Sequence, residues 1–67
     1  MNAKDQEKLC RAGYFILRRG DYPKPHIKFK SKANPDSWRK YGDNYPSKAE
    51  RDRNINLLLK DDKVIED

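Results

Sequence analysis

The chain offers one nucleophile and one base of the kind that pair in covalent catalysis, Cys10 and His26. A thiolate attacks an electrophilic centre when a neighbouring imidazole takes its proton and a third group fixes the ring. No third group is evident in the sequence, so no catalytic residue is assigned and the chain is read as non-enzymatic. With a single Cys and a single His, neither an internal disulfide nor a structural zinc quartet can be built, and no cofactor motif is present. A lone thiol suits a reducing compartment. No apolar run approaches the ~18 residues of a membrane span, and no signal-peptide core opens the sequence. The expectation is a cytoplasmic protein without metal or cofactor.

The remaining chemistry is charge. The formal net charge of +5 is unevenly spread: residues 1–10 are neutral, residues 11–41 carry +7 and residues 42–67 carry −2. A basic block of this kind suits contact with a polyanion. It equally suits a solvated face whose Lys and Arg prevent a small sheet from pairing edge to edge. Within or beside the block, Tyr14, Arg18, Arg19, His26, Lys28, Lys30, Arg39 and Tyr41 are the candidate nucleic-acid contacts. Cations meet phosphates, while aromatic rings stack on bases or donate hydrogen bonds. Arg18-Arg19 can fork onto guanine or phosphate, or simply flank a strand as solubilising charge.

These residues need a sheet to present them. Tyr14–Arg19 reads as a strand rich in aromatic and branched residues, with Phe15 and Leu17 on one face and Tyr14, Ile16 and Arg18 on the other. Gly20, Pro23 and Pro25 mark a loop. Pro25–Lys30 alternates cleanly, placing Ile27 and Phe29 inside and His26, Lys28 and Lys30 outside. Asn34-Pro35-Asp36 is strong turn chemistry, which starts the third strand at Ser37 and ends it at Tyr41. Its phase is ambiguous. Trp38 is preferred inside because a small domain rarely leaves its largest apolar side chain unused, which turns Arg39 and Tyr41 outward and leaves Lys40 to snorkel.

Two helices flank the strands. Asn2–Ala12 has an Asn cap and a Gly13 stop but little apolar surface, so it forms a short helix or stays flexible. Ser47 and Glu50 form a capping box for a helix from Lys48 to about Lys60, with Ile55, Leu58 and Leu59 on one stripe and Leu57 off it. Lys48 and Asp52 stand at i,i+4 spacing. The fold expected is α+β: a three-stranded antiparallel sheet packed against one C-terminal helix (β-β-β-α), with a possible short N-terminal helix. Residues 1–13 are the helix or flexible segment, 14–60 the domain, and 61–67 an acidic tail. Its core would comprise Phe15, Leu17, Ile27, Phe29, Trp38, Ile55, Leu58 and Leu59.

Trp38-Arg39 on a strand, Gly42, the Tyr45-Pro46 turn and the helix opening Ser47-Lys48-Ala49-Glu50 form a recognisable succession. Over residues 14–59 the chain resembles the small DNA-binding domains of the AP2-like and integrase arm-binding type, found at the N-termini of phage and transposon tyrosine recombinases. The resemblance implies that the sheet enters the DNA major groove, with Arg18, Lys28, Lys30 and Arg39 meeting phosphates and base edges. The loop carrying Pro23 and Pro25 departs from the pattern by its length and stiffness. No recombinase catalytic segment follows, so a role as accessory factor of a phage or mobile element is the expectation, not strand cutting.

Two classes of function stay open. The first is a DNA-binding module acting on double-stranded DNA through its basic sheet face. In that case, exchanging Lys28, Lys30 and Arg39 together for Ala abolishes binding while the fold survives. The second is a small protein-interaction or regulatory module, with Leu57, Val64 and Ile65 as the contacts to a protein partner.

Overall fold

The two most regular apolar alternations of the sequence pair with each other. In the computed structural model, which describes residues 2–67, β1 (Phe15–Gly20) and β2 (His26–Ser31) run antiparallel, with Leu17 opposite Phe29 and Arg19 opposite Ile27. β3 (Asn34–Lys40) lies antiparallel to β2, and β4 (Val64–Glu66) lies parallel to β1, giving the sheet order β3-β2-β1-β4. Two helices, α1 (Ala3–Arg11) and α2 (Lys48–Leu58), complete an α+β fold with a mixed four-stranded sheet.

Each helix covers a different face of the sheet. Directly opposed residues of an antiparallel pair share a face. The register therefore puts Ile16, Arg18, Lys28, Lys30, Gly20 and His26 on one side and Leu17, Arg19, Ile27 and Phe29 on the other. α2 closes the second side, where Ile55 packs with Leu17 and Ile27 and is bordered by Phe29, Tyr45, Leu58, Leu59 and Val64. α1 packs across β3, β2 and β1 on the first side, burying Gln6 and Cys10 one turn apart. Ile16 is fully buried as a result, while Phe15, on the other side, is 46% exposed.

Both helices start where the sequence marks them. Asn2 Oδ1 accepts a hydrogen bond from the Asp5 amide at 2.8 Å, and Gly13, at φ 102°, ends α1 in a conformation that glycine adopts without a Cβ penalty. The Ser47 hydroxyl accepts from the Glu50 amide at 3.2 Å to cap α2.

Four expectations are corrected. The tight turn falls at Lys32-Ala33, so Asn34, Pro35 and Asp36 belong to β3. β3 is an edge strand with an irregular register between Phe29 and Ser31, and an edge tolerates the missing N–H of Pro35. That irregularity also inverts the phase of the strand: Lys40 opposes Lys28 and Arg39 opposes Phe29, so Trp38 lies on the α1 side rather than in the α2 core. Tyr41 accordingly meets Phe29 edge to face, with ring centroids 6.0 Å apart.

The predicted acidic tail is instead a turn and a strand. Asp61 accepts hydrogen bonds from the Lys63 amide through its carboxylate (2.9 Å) and from the Val64 amide through its carbonyl (3.1 Å), turning the chain into β4. A parallel neighbour for β1 requires a crossover, which α2 supplies. Val64 and Ile65 are therefore half-buried sheet residues. Finally, Lys48 pairs with Asp21 at 3.9 Å rather than with Asp52, which faces Arg19 and Arg51.

Candidate nucleic-acid interface

The α1 side of the sheet was expected to be a continuous basic surface, and the structure divides it. At its β1 end the cations are consumed internally. Lys30 is 5% exposed; its Nζ donates to Gln6 Oε1 at 2.8 Å and stands 4.8 Å from the Trp38 ring centroid. Arg18 covers the same ring at 4.5 Å and pairs with the Asp67 carboxylate, which also accepts from Gln6 Nε2 at 2.9 Å. The Arg18 guanidinium, and then Gln6, hold the Asp67 carboxyl below the usual carboxylate range.

Arg19 points to the α2 side. Its guanidinium pairs with Glu66 at 2.7 Å and Asp52 at 3.1 Å, which raises its affinity for its proton, the Glu66 hydrogen bond first. Burial under α1, the acidic end of β4 and the α2 carboxylates thus remove Lys30, Arg18 and Arg19 from the free basic surface. Tyr14 stands at the far end of β1 beneath Lys63, 4.7 Å from its ring, and Tyr41 belongs to the α2 side.

What stays open is the β2–β3 end. Tyr22, Pro23, His26, Lys28, Trp38, Arg39, Lys40 and Asn44 line a groove of about 380 Å³. Among the described residues, Lys28, Arg39 and Lys40 carry no ion pair, and no carboxylate lines the groove. Two of the eight candidate contacts, His26 and Lys28, are therefore brought together on the α1 side. Arg39 borders the groove from the edge strand but opposes Phe29, so it alternates to the α2 side instead of sharing the face of Lys28. Arg18, Arg19, Lys30, Tyr14 and Tyr41 are placed elsewhere.

The groove is positioned by several local devices. The His26 ring lies over Gly20, its cross-strand partner, so closely that any Cβ at position 20 would fall inside the imidazole. Its Nδ1 is 2.6 Å from the Lys24 carbonyl oxygen. Tyr22 and Pro23, joined by a cis peptide bond, stand on the loop between β1 and β2, with Tyr22 88% exposed. The loop after β3 is held by the Tyr45 amide, which donates to the Pro25 carbonyl at 2.8 Å. Burial, and to a smaller degree the neighbouring Tyr41, raises the Tyr45 phenol above its usual range.

Arg51 anchors this corner from α2. It is 4% exposed and donates to the Gly20 carbonyl at 2.7 Å, while pairing with Asp21 and Asp52. Those contacts fix the start of the loop that carries Tyr22 and hold the Asp21 carboxyl below its ordinary range, the Arg51 hydrogen bond being the largest cause.

Trp38, Lys40, Tyr22 and Asn44 are groove residues that the sequence argument did not select. Trp38 was assigned to the α2 core and Lys40 to its inner face, both through the inverted phase of β3. Tyr22 carried a usable signal: an aromatic residue in a loop between Asp21 and Pro23 contributes little to any strand face.

Cys10, on the sheet-facing side of α1, is fully buried, and burial raises its thiol above the usual range despite nearby Lys30. Among the described residues no cluster of His, Cys, Asp or Glu is placed to hold a metal ion, and no helix is long and apolar enough to cross a membrane. Comparison with protein-family models, with curated proteins and with solved structures finds no match.

Proposed function

We propose that the chain is a non-enzymatic nucleic-acid-binding module that engages the phosphate backbone at the β2–β3 end of its sheet. One observation carries this reading. The other cations of the basic strands are neutralised or buried by the fold, whereas Lys28, Arg39 and Lys40 are left without ion pairs around a single groove free of carboxylates. Unpaired cations gathered in this way suit phosphate contact, which positions a nucleic acid without reading its sequence. Exchanging Lys28, Arg39 and Lys40 together for Ala tests the assignment. Oligonucleotide binding by fluorescence anisotropy should be lost, while circular dichroism and thermal unfolding stay close to wild type. Undiminished affinity in the folded triple variant would remove the groove from the binding surface.

A second reading rests on an apolar groove of about 230 Å³ on the α2 side, lined by Phe15, Leu17, Phe29, Tyr41, Leu58 and Val64. An incompletely covered apolar surface suits a protein-interaction module, with Leu57, 58% exposed, on the same helix as Leu58. Sedimentation of the wild type and of Phe15→Asp separates the two: a dimer abolished by this change would support the second reading, and a monomer indifferent to it would count against it.

A further inference from the structure

The groove differs from a plain phosphate cradle in its composition. Beside the three cations it presents two aromatic residues, Tyr22 and Trp38, a proline, an imidazole and the Asn44 amide. Its volume of about 380 Å³ falls within the range of roughly 300–1,000 Å³ of small-ligand sites. Flat apolar rings beside cations are what a single nucleotide unit needs: a π-face for the base and positive charge for the phosphate. Asn44 adds a donor and an acceptor suited to a base edge.

The two rings are held differently, and both arrangements favour stacking. Trp38 is half-buried, with the Arg18 and Lys30 side chains 4.5 and 4.8 Å from its ring centroid, and these contacts restrain the ring where it lines the groove. Tyr22, which also lines the groove, is 88% exposed, an aromatic side chain that folding has left uncovered. Against a duplex stands the position of α1. It lies across the same side of the sheet as Lys28 and Lys40, so the sheet lacks the unobstructed face that insertion into a major groove about 12 Å wide requires. An unpaired strand has no such requirement, because its bases can be turned into a recess one at a time.

From this geometry we infer that the groove receives one unpaired base together with its phosphate, stacked between Tyr22 and Trp38 with Lys28, Arg39 and Lys40 around the backbone, making single-stranded nucleic acid the ligand class. This rests on the nucleic-acid reading above and goes beyond it. Ribose and deoxyribose strands share this chemistry, and comparison of the two distinguishes them.

The test uses the full chain with three labelled probes at low salt: a short oligo-dT, the matching oligo-U, and a blunt duplex of the same length, read by anisotropy. At least one single strand should bind more than about 10-fold tighter than the duplex and quench Trp38 emission. Tyr22→Ala should weaken that binding by about 5- to 150-fold, the range given by loss of one base–aromatic stack, without shifting the thermal midpoint. Equal or tighter duplex binding, or an unchanged single-strand affinity in Tyr22→Ala with no Trp38 response, overturns the inference. If the duplex then binds in a manner lost in the triple Ala variant, the phosphate-binding reading survives alone. If no probe binds, both fall.

Discussion

Replacing Ile16 by Ala should cost more than replacing its neighbour Phe15, although Phe15 is the larger side chain. Ile16 is fully buried beneath α1, whereas Phe15 is 46% exposed at the rim of the α2-side groove. Truncating a buried Ile to Ala removes about 2–5 kcal/mol, and about half of the usual Phe penalty, roughly 1.5–2.5 kcal/mol, applies where half the ring is already in water. A domain of 67 residues has only about 3–10 kcal/mol in total at ~0.05–0.15 kcal/mol per residue. Ile16→Ala therefore removes a large share of the stability, and at about 4–8 °C per kcal/mol lowers the midpoint by roughly 8–40 °C. Urea unfolding of both variants, followed by circular dichroism, measures the contrast. The order depends on α1 staying docked, because Ile16 becomes a surface residue if that helix detaches. A Phe15→Ala variant less stable than Ile16→Ala would refute the two-sided sheet.

Three further outcomes follow from individual contacts. Lys30→Met keeps the aliphatic packing on Trp38 and should change stability by less than about 1 kcal/mol, whereas Lys30→Ala should lose about 1–3 kcal/mol. Lys30→Met, which keeps the packing on Trp38, should not shift oligonucleotide affinity more than about 2-fold, and a loss matching that of Lys28→Ala would contradict the burial of Lys30. Gly20→Ala forces the His26 ring out of place and should cost about 1–3 kcal/mol of overpacking, visible in unfolding and in the His26 imidazole resonances. An unperturbed ring would contradict their close approach.

Acidification should loosen β4. The Asp67 carboxyl lies below its ordinary range because Arg18 and Gln6 hold the charged form. A depressed folded-state value contributes stability above the unfolded value, about 3.9, and loses it as pH falls through the folded value. Protection of the Ile65 and Glu66 amides relative to their intrinsic exchange rates, followed from about pH 6 down to pH 3, should fall below about pH 4, and Asp67→Asn should remove that dependence. An identical profile in the variant would contradict the contact.

The sequence disclosed features whose physics is local. The alternation of Ile27 and Phe29 against His26, Lys28 and Lys30 defined β2, and Asn2, Gly13 and Ser47 marked helix ends through hydrogen bonds or backbone freedom. Long-range features were hidden. The phase of β3 depends on the irregularity near Ser31, invisible in one strand read alone, and it moved Trp38 and Lys40 into the groove. β4 has three residues, too few to show alternation, and its parallel partner is far away in sequence. Which cations remain free could not be read at all, because Arg18 and Arg19 are neutralised by Asp67 and Glu66 only once β4 docks. A buried Lys30 looks identical in sequence to an exposed one until Gln6 is placed opposite it.

The salt dependence of oligonucleotide binding addresses the central claim most directly, because it counts the cations that meet phosphate. Three free cations at the groove predict a slope of log K against log salt of about −2 for a single strand. Measurable binding at low salt with that slope, abolished in the Lys28, Arg39 and Lys40 triple variant, is the expected result. Absence of binding at low salt contradicts the account. A slope near −4 also contradicts it, since about six phosphate contacts exceed the three cations that border the groove.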